Sequence, residues 1–267
     1  MKRSSLVILL AMTLSITLGQ KNNYQKNWEK IDSLTAIGQP KSALKMVEDI
    51  YRSAKAEKND PQLVKAIIKK MRLQQDFSEN YEEKKIYFLQ EEIKKTQPPL
   101  TNVLTSLLAM SYNLYYGVNI WKFTGRTTVQ GGISDSINTW DLNTLRSVIN
   151  RTYLNSLQNE QLLKSIPVEE YGAILAQNPN PDSAKKEKIT FRPTLYDLLA
   201  WQVLEYFFTE PDYARKPAGG FMIKDPSHFL PAAEWIKLSP IPPDTTSIQS
   251  YTLEIFRNLT AFHLNDK

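Results

Sequence analysis

The chain of 267 residues contains two histidines, His228 and His263, and no cysteine. His228 sits between prolines, His263 sits near the C-terminus, and neither stands in an HExxH or comparable spacing, so they assemble no metal ligand set. Both read as structural or incidental side chains. Three carboxylate pairs, Glu82 with Glu83, Glu91 with Glu92 and Glu169 with Glu170, are adjacent in sequence. On a helix, neighbours point about 100° apart, so these pairs read as solvated surface and not as a general acid facing a general base. No GxSxG occurs, and without a partnered histidine no serine qualifies as a nucleophile. Gly131-Gly132 and Gly219-Gly220 lack the strand, turn, helix and Lys-Ser/Thr of a phosphate loop. The expectation is a protein that is not an enzyme, with no catalytic residue, no cofactor and no metal.

A different chemistry is written in the aromatic group Tyr112, Tyr115, Tyr116, Trp121 and Phe123. Tyr and Trp are strong interface anchors, and this group falls where an apolar helix gives way to glycine-containing sequence. Two readings are open: the rings pin the following loop as core, or they form an interaction surface. Exposure decides between them.

The elements that would position these residues are helical. Glycine is scarce, at nine residues, while Leu, Ala, Lys, Glu and Gln fill long tracts. Trp28, Ile31, Leu34 and Ile37 mark a first helix that Gly38 and Pro40 stop; Ala43, Leu44, Val47, Ile50, Tyr51 and Ala54 line a second, over Lys41 to Glu57. Leu63, Ile67, Ile68, Met71 and Leu73 line a third; Ile86, Leu89 and Ile93 a fourth, broken at Pro98 and Pro99. The fifth is the most apolar, with Leu100, Leu104, Leu107, Leu108, Tyr112, Leu114 and Tyr115. Short Gly, Pro or Asn breaks predict antiparallel hairpins, and the spacing of Gly38, Ala43, Val47 and Ile50 resembles the interlocking positions of tetratricopeptide helices. The fold expected is all-α, with hairpins stacked as a tetratricopeptide-like solenoid or an irregular helical array, carrying long loops.

Beyond Gly117 the pattern weakens. Trp121 to Thr139 reads as a long loop, Trp140 to Leu157 as a helix capped by Asp141, and Asn178 to Lys188 as a flexible linker. Thr194 to Thr209 is a second strongly apolar helix introduced by Arg192 and Pro193, and Ser247 to Leu264 a final one. Prolines from Pro211 to Pro243 are expected to forbid regular structure between those two helices. The last helix carries an apolar face that wants a partner, either the helix near Trp201 or further chain, and a fragment of a larger protein is the expected status of the sequence. The organisation expected is a leader at 1–19, a helical-hairpin region at 20–117 and a helical region with Pro/Gly-containing loops at 118–267.

The leader sets the compartment. Lys2 and Arg3 precede an apolar stretch from Leu6 to Leu18, too short for the roughly twenty residues a membrane span needs, which favours a cleaved secretory signal over an anchor. Thr17 and Gly19 suit a cut before Gln20 or Lys21, and no cysteine follows for lipid attachment. Loss of Lys2 and Arg3 takes two charges from the net +5 and leaves +3, with lysines interleaved with glutamates, so nucleic acid is not an expected partner. Export without cysteine requires the fold to be held by apolar burial alone.

Four stretches carry a family resemblance: the helical hairpin of Tyr24 to Phe77, WKFTGRTT at Trp121 to Thr128, TWDLNTL at Thr139 to Leu145, and RPTLYDLLA at Arg192 to Ala200, the most specific. Together they resemble the N-terminal helical region of large exported bacterial proteins of the alpha-2-macroglobulin-like family, over nearly all of the mature chain. In that family this region precedes a series of β-sandwich macroglobulin domains, and a bait segment cut by a protease triggers capture of the protease, in some members through a Cys-Gln thioester. The resemblance implies a role in or beside a protease trap, with downstream macroglobulin domains or an envelope protein as partner and proteases reached through the full-length protein. It implies a location in the periplasm or on the outer surface of a Gram-negative bacterium. The chain departs from the pattern in having no cysteine, hence no thioester, and no strand-rich macroglobulin sequence, so no catalytic or bait residue carries over. The alternative is a free-standing tetratricopeptide-like adaptor of the cell envelope, without a stable membrane span after signal cleavage. Short Asp-Ser/Thr-apolar or Asp-Thr-Thr triplets at Ser136, Ser183 and Thr245 resemble acceptor sites of an envelope O-glycosylation system.

Overall fold

The computed structural model describes residues 24–75, 77–123, 136–175, 191–209, 220–238 and 247–264. The expected leader at 1–19, the expected linker at 178–188, Ser183, Thr245 and most of the expected loop after Trp121 lie outside the described residues. The described residues are helical, joined by turns, and contain no strand; a single isolated bridge pairs Pro167 with Thr194. The chain divides into two compact units, one of residues 1–149 and 170–179, the other of residues 150–169 and 180–267.

The first unit is an array of helices: α1 (24–36), α2 (Pro40–Glu57), α3 (Asp60–Gln74), α4 (Tyr81–Ile93) and α5 (Leu100–Phe123). The turns are chemically determined. Gly38 takes a left-handed φ of 73°, the Gln39 N–H reaches the Leu34 carbonyl at 2.9 Å and the Gly38 N–H that of Thr35 at 3.2 Å, which is a Schellman stop. Pro40 then opens α2 at a position where its missing N–H costs nothing. The same motif ends α2, with Lys58 at φ 54° in place of glycine and the Asn59 N–H on Ala54 at 2.9 Å. Asn59 Oδ1 accepts the Gln62 N–H at 3.3 Å and starts α3.

Helices pack on their chain neighbours and also on the next but one. Helices α2 and α3 pair, as do α4 and α5, and α3 also meets α5. The Trp28 indole on α1 donates to Gln62 on α3 at 2.7 Å, and Lys69 of α3 pairs with Asp32 of α1 at 2.7 Å. On the other layer, Tyr51 of α2 donates to Glu92 of α4 at 2.7 Å. Ala43, Ala54, Ala66 and Ala109 are fully buried, so the helices approach closely around Ile31, Val47, Ile67, Ile86, Leu89 and Leu104. This is the array the periodicity predicts. Two residues placed on its core faces are misplaced: Ile37 and Leu114 are 67% and 56% exposed. Ile37 lies in the turn, beyond the last helical residue, where the face no longer continues.

After a short 3-10 turn (Ile137–Thr139) comes α6 (Leu142–Asn155), whose start is capped as expected, with Asp141 Oδ1 accepting the Thr144 N–H at 2.7 Å. The second unit contains α7 (Glu160–Lys164), α8 (Leu195–Thr209), α9 (Ala232–Trp235) and α10 (Ile248–His263). Helix α8 packs on α7 and α10, with Trp201 and Phe256 rings 6.1 Å apart and Tyr153 stacked on Tyr206 at 4.7 Å. The final helix therefore finds its partner in the helix carrying Trp201. The proline-containing stretch is more regular than expected: Pro226–Phe229 is a 3-10 turn and Ala232–Trp235 a helical turn. Each follows a proline or starts on one, the positions at which a missing N–H is harmless. Arg257 donates to the Ile236 and Leu238 carbonyls and holds that segment on α10.

Candidate functional site

Helix α5 is the element on which the candidate residues sit. It runs six residues beyond Gly117, three of them into the expected loop, to Phe123, with Asn119 (φ −113°, ψ 17°) as a kink. The expected loop at Trp121 is helical because Tyr115 and Phe123 pack edge-on at 6.1 Å across that kink, and Asn119 Nδ2 donates to the Tyr115 carbonyl at 2.9 Å.

The five aromatics divide between two faces. Tyr112, Tyr115 and Phe123 are buried. Gln90 of α4 donates to the Tyr112 hydroxyl at 2.7 Å, and the Tyr112 ring lies 5.7 Å from Trp140. Tyr115 donates to Asn138 Oδ1 at 2.8 Å, and Asn138 in turn donates to Glu83 of α4 at 2.7 Å. Tyr116 is half-buried, receives a hydrogen bond from Arg146 at 3.2 Å and has that guanidinium 5.6 Å from its ring. Trp121 alone stands out, at 69% exposed, with the Lys122 ammonium 5.5 Å from its ring. The group is thus not one surface: three rings are core, one bridges, and Trp121 belongs to another face.

That other face carries residues no aromatic count would have picked. Met110, Leu114, Val118 and Ile120 are 39%, 56%, 63% and 51% exposed. At 100° per residue, Met110, Leu114 and Val118 form one stripe, with half-buried Leu107 at its upper end, and exposed Trp121 follows beyond the kink at Asn119. The reason is length. Helix α5 has 24 residues and α4 has 13, so at 1.5 Å per residue α5 outruns its hairpin partner by roughly 16 Å. Fully burying a Leu, Met or Val stabilises by roughly 1.5–3 kcal/mol, a gain the outward half of α5 does not take within the array.

The ionisable groups are structural. Glu92 is 5% exposed, which corrects its reading as solvated surface: it accepts from Tyr51 at 2.7 Å, from Lys55 at 3.0 Å and from Lys95 at 3.4 Å. Burial pushes its carboxyl up most strongly, but the Tyr51 and Lys55 hydrogen bonds and the ammonium charge together outweigh that and hold it below the ordinary value. Glu91 is exposed and meets Lys94 at 2.6 Å. In the second unit Asp197, 1% exposed, accepts the Thr194 N–H at 2.9 Å and hydroxyl at 2.7 Å, while its own N–H reaches Thr194 Oγ1 at 3.3 Å. That is a capping box at the start of α8, and the other carboxylate oxygen meets His263 Nε2 at 2.7 Å. The T-x-x-D within RPTLYDLLA is the signal for it. Arg192 of the same segment stacks on Trp201 at 4.3 Å. His228 lies against Phe221, with ring centroids 6.0 Å apart.

No group of three or more metal-ligating side chains occurs among the described residues, and no described helix is long and apolar enough to cross a membrane. Ser136 lies at the start of the 3-10 turn, half-buried, its carbonyl accepting from the Thr139 N–H at 3.0 Å. The arrangement offers an apolar helix face, with the Lys122 ammonium beside Trp121 at its end, backed by a hydrogen-bonded aromatic core. Comparison with protein-family models, curated proteins and solved structures finds no match to this chain.

Proposed function

We propose that this chain is a non-catalytic helical module that makes protein contacts through the outward half of α5. The observation that carries the reading is the apolar stripe of Met110, Leu114 and Val118, with exposed Trp121 beyond the Asn119 kink, on a helix whose other residues Tyr112, Tyr115 and Phe123 are buried. Exposed contiguous apolar surface of this kind marks interaction sites. The resemblance of RPTLYDLLA and its companion segments supports placing the module in an exported alpha-2-macroglobulin-like protein of the protease-trap family. Its partner is then a macroglobulin domain or an envelope protein, with proteases reached through the full-length family protein. The next-but-one helix contacts favour a second reading, a free-standing tetratricopeptide-like adaptor in the envelope.

Immunoblotting of fractionated producing cells with an antibody against residues 24–116 separates the two. A band far above 30.7 kDa supports the macroglobulin-like protein. A band at the mature size in the soluble periplasm supports the adaptor, and a signal confined to the cytoplasm overturns export in both.

A further inference from the structure

The corner where α7, α8 and α10 meet holds a buried charge whose partner can gain or lose a proton. Asp197 is 1% exposed. Its Oδ2 accepts the Thr194 N–H and hydroxyl, and its Oδ1 meets Nε2 of His263, the last residue of α10, at 2.7 Å. A buried carboxylate is costly unless donors and a counter-charge answer it. The His263 side chain is 26% exposed, so protons from solvent reach the ring, whereas the carboxylate is shut away. Histidine is also the side chain that ordinarily changes charge between pH 5 and 8.

The other groups facing this corner leave the imidazolium favoured. From α7, Lys164 holds its ammonium 4.9 Å from the Tyr196 ring and 4.5 Å from the Phe262 ring, which stands 4.5 Å from the His263 ring. That like charge is answered on its own helix by Glu160 at 2.5 Å. From α8, burial first and then the charges of Glu160, Asp197 and Glu254 push the Tyr196 hydroxyl far above the ordinary tyrosine range, so it stays neutral. Among these groups the carboxylates of Glu160, Asp197 and Glu254 outnumber the one ammonium, and only Asp197 touches the ring. The C-terminal end of α10, where its carbonyls point, favours a cation as well.

We propose that His263 and Asp197 form a proton-sensitive latch that holds the last turn of α10 on the start of α8, tightly when the imidazole is charged and more loosely when it is neutral. The closed contact favours the protonated ring over the same ring in the open chain. The extra hold is therefore complete below the ordinary histidine value of about 6.5 and is lost as the pH rises through the higher value of the closed state. A neutral ring that keeps its proton on Nε2 retains the hydrogen bond without the charge, so the latch weakens and does not vanish.

The chain has two histidines, so His228→Gln alone assigns the imidazole signals. Followed by NMR in the full chain, the His263 midpoint should lie above 6.5, by about one unit for a tenfold difference in latch equilibrium between the two protonation states. Hydrogen-exchange protection of the last turn of α10, corrected for the intrinsic rate, should fall about tenfold between pH 6 and 8.5 in the parent and in His228→Gln. It should stay level in His263→Gln, which keeps a donor but has no proton to lose. Asp197→Asn should return the His263 midpoint to 6.5 or below. A midpoint at or below 6.5 in the parent overturns the latch. So does an equal loss of protection in His263→Gln, or a midpoint that stays raised in Asp197→Asn.

Discussion

Helices α5 and α8 are the two most apolar segments of the chain, yet they are used differently. Helix α8 is covered along most of its circumference, with Leu195, Leu199, Val203, Leu204 and Phe207 all at 1% exposure or less. Helix α5 is covered along its first half and on only one side of its second, where Leu114 and Trp121 stand outside the core. An apolar helix that is wrapped on all sides is a core element, whereas one with an apolar side left over is a core element that also offers a surface. Composition alone does not distinguish them, because the distinction lies in the length of the neighbouring helices.

The sharpest way to test the contrast is to damage both helices alike. Leu204→Ala should cost about 3 kcal/mol in urea denaturation, since it opens a cavity in a fully packed site. Leu114→Ala should cost less than about 0.5 kcal/mol at protein concentrations where the chain is monomeric. Equal losses would abolish the distinction. Asp197→Ala should also be costly, about 3 kcal/mol, because it removes the α8 capping box and leaves Thr194 and His263 without their buried acceptor; a change under about 1 kcal/mol in urea denaturation would show that α8 is held by packing alone.

A smaller effect separates the array from the second unit by pH. The folded state holds the Glu92 carboxyl below its ordinary value, so the unfolded chain binds that proton more readily. The stabilisation is therefore present above the ordinary carboxylate value of 4.5 and is lost as the pH falls through the lower folded value. Glu92→Gln should lower stability by about 1.5 kcal/mol at neutral pH, converge with the parent in acid, and leave the α8 unit unaffected. A parallel offset at every pH would assign the loss to packing. The smallest effect expected is a gain: Lys58 holds a left-handed φ of 54° that glycine adopts freely, so Lys58→Gly should stabilise the array by about 0.5–1 kcal/mol, read from its thermal midpoint.

The same residues mark where the sequence is readable. Local signals translate directly: Gly38 stops α1, Asp141 caps α6, and the three- and four-residue spacing of Ile50, Ile67 and Leu104 assigns their buried faces. Signals that depend on distant partners do not. Glu92 sits beside Glu91 in a charged run, and Tyr51 and Lys55, 41 and 37 residues earlier, make it a buried acceptor. Likewise Leu114 shares its spacing with core residues, and only the start of the antiparallel α4 at Tyr81 leaves it outside. The aromatic group is visible as a cluster in sequence, but Tyr112 and Tyr115 turn to the core while Trp121 stands on the outward face of the same helix. Asp197 is a legible omission, because Thr194-Leu195-Tyr196-Asp197 carries the capping-box spacing before an apolar run.

Contact between the outward face of α5 and protein is measured most directly by photo-cross-linking in intact producing cells. A benzophenone amino acid is placed at position 121, with the same residue at position 204 as the buried control. The predicted result is a protein adduct from position 121, whether to a second copy or to another chain, that Leu114→Lys diminishes and that position 204 does not give. Full accumulation of the protein with no adduct at position 121 would contradict it.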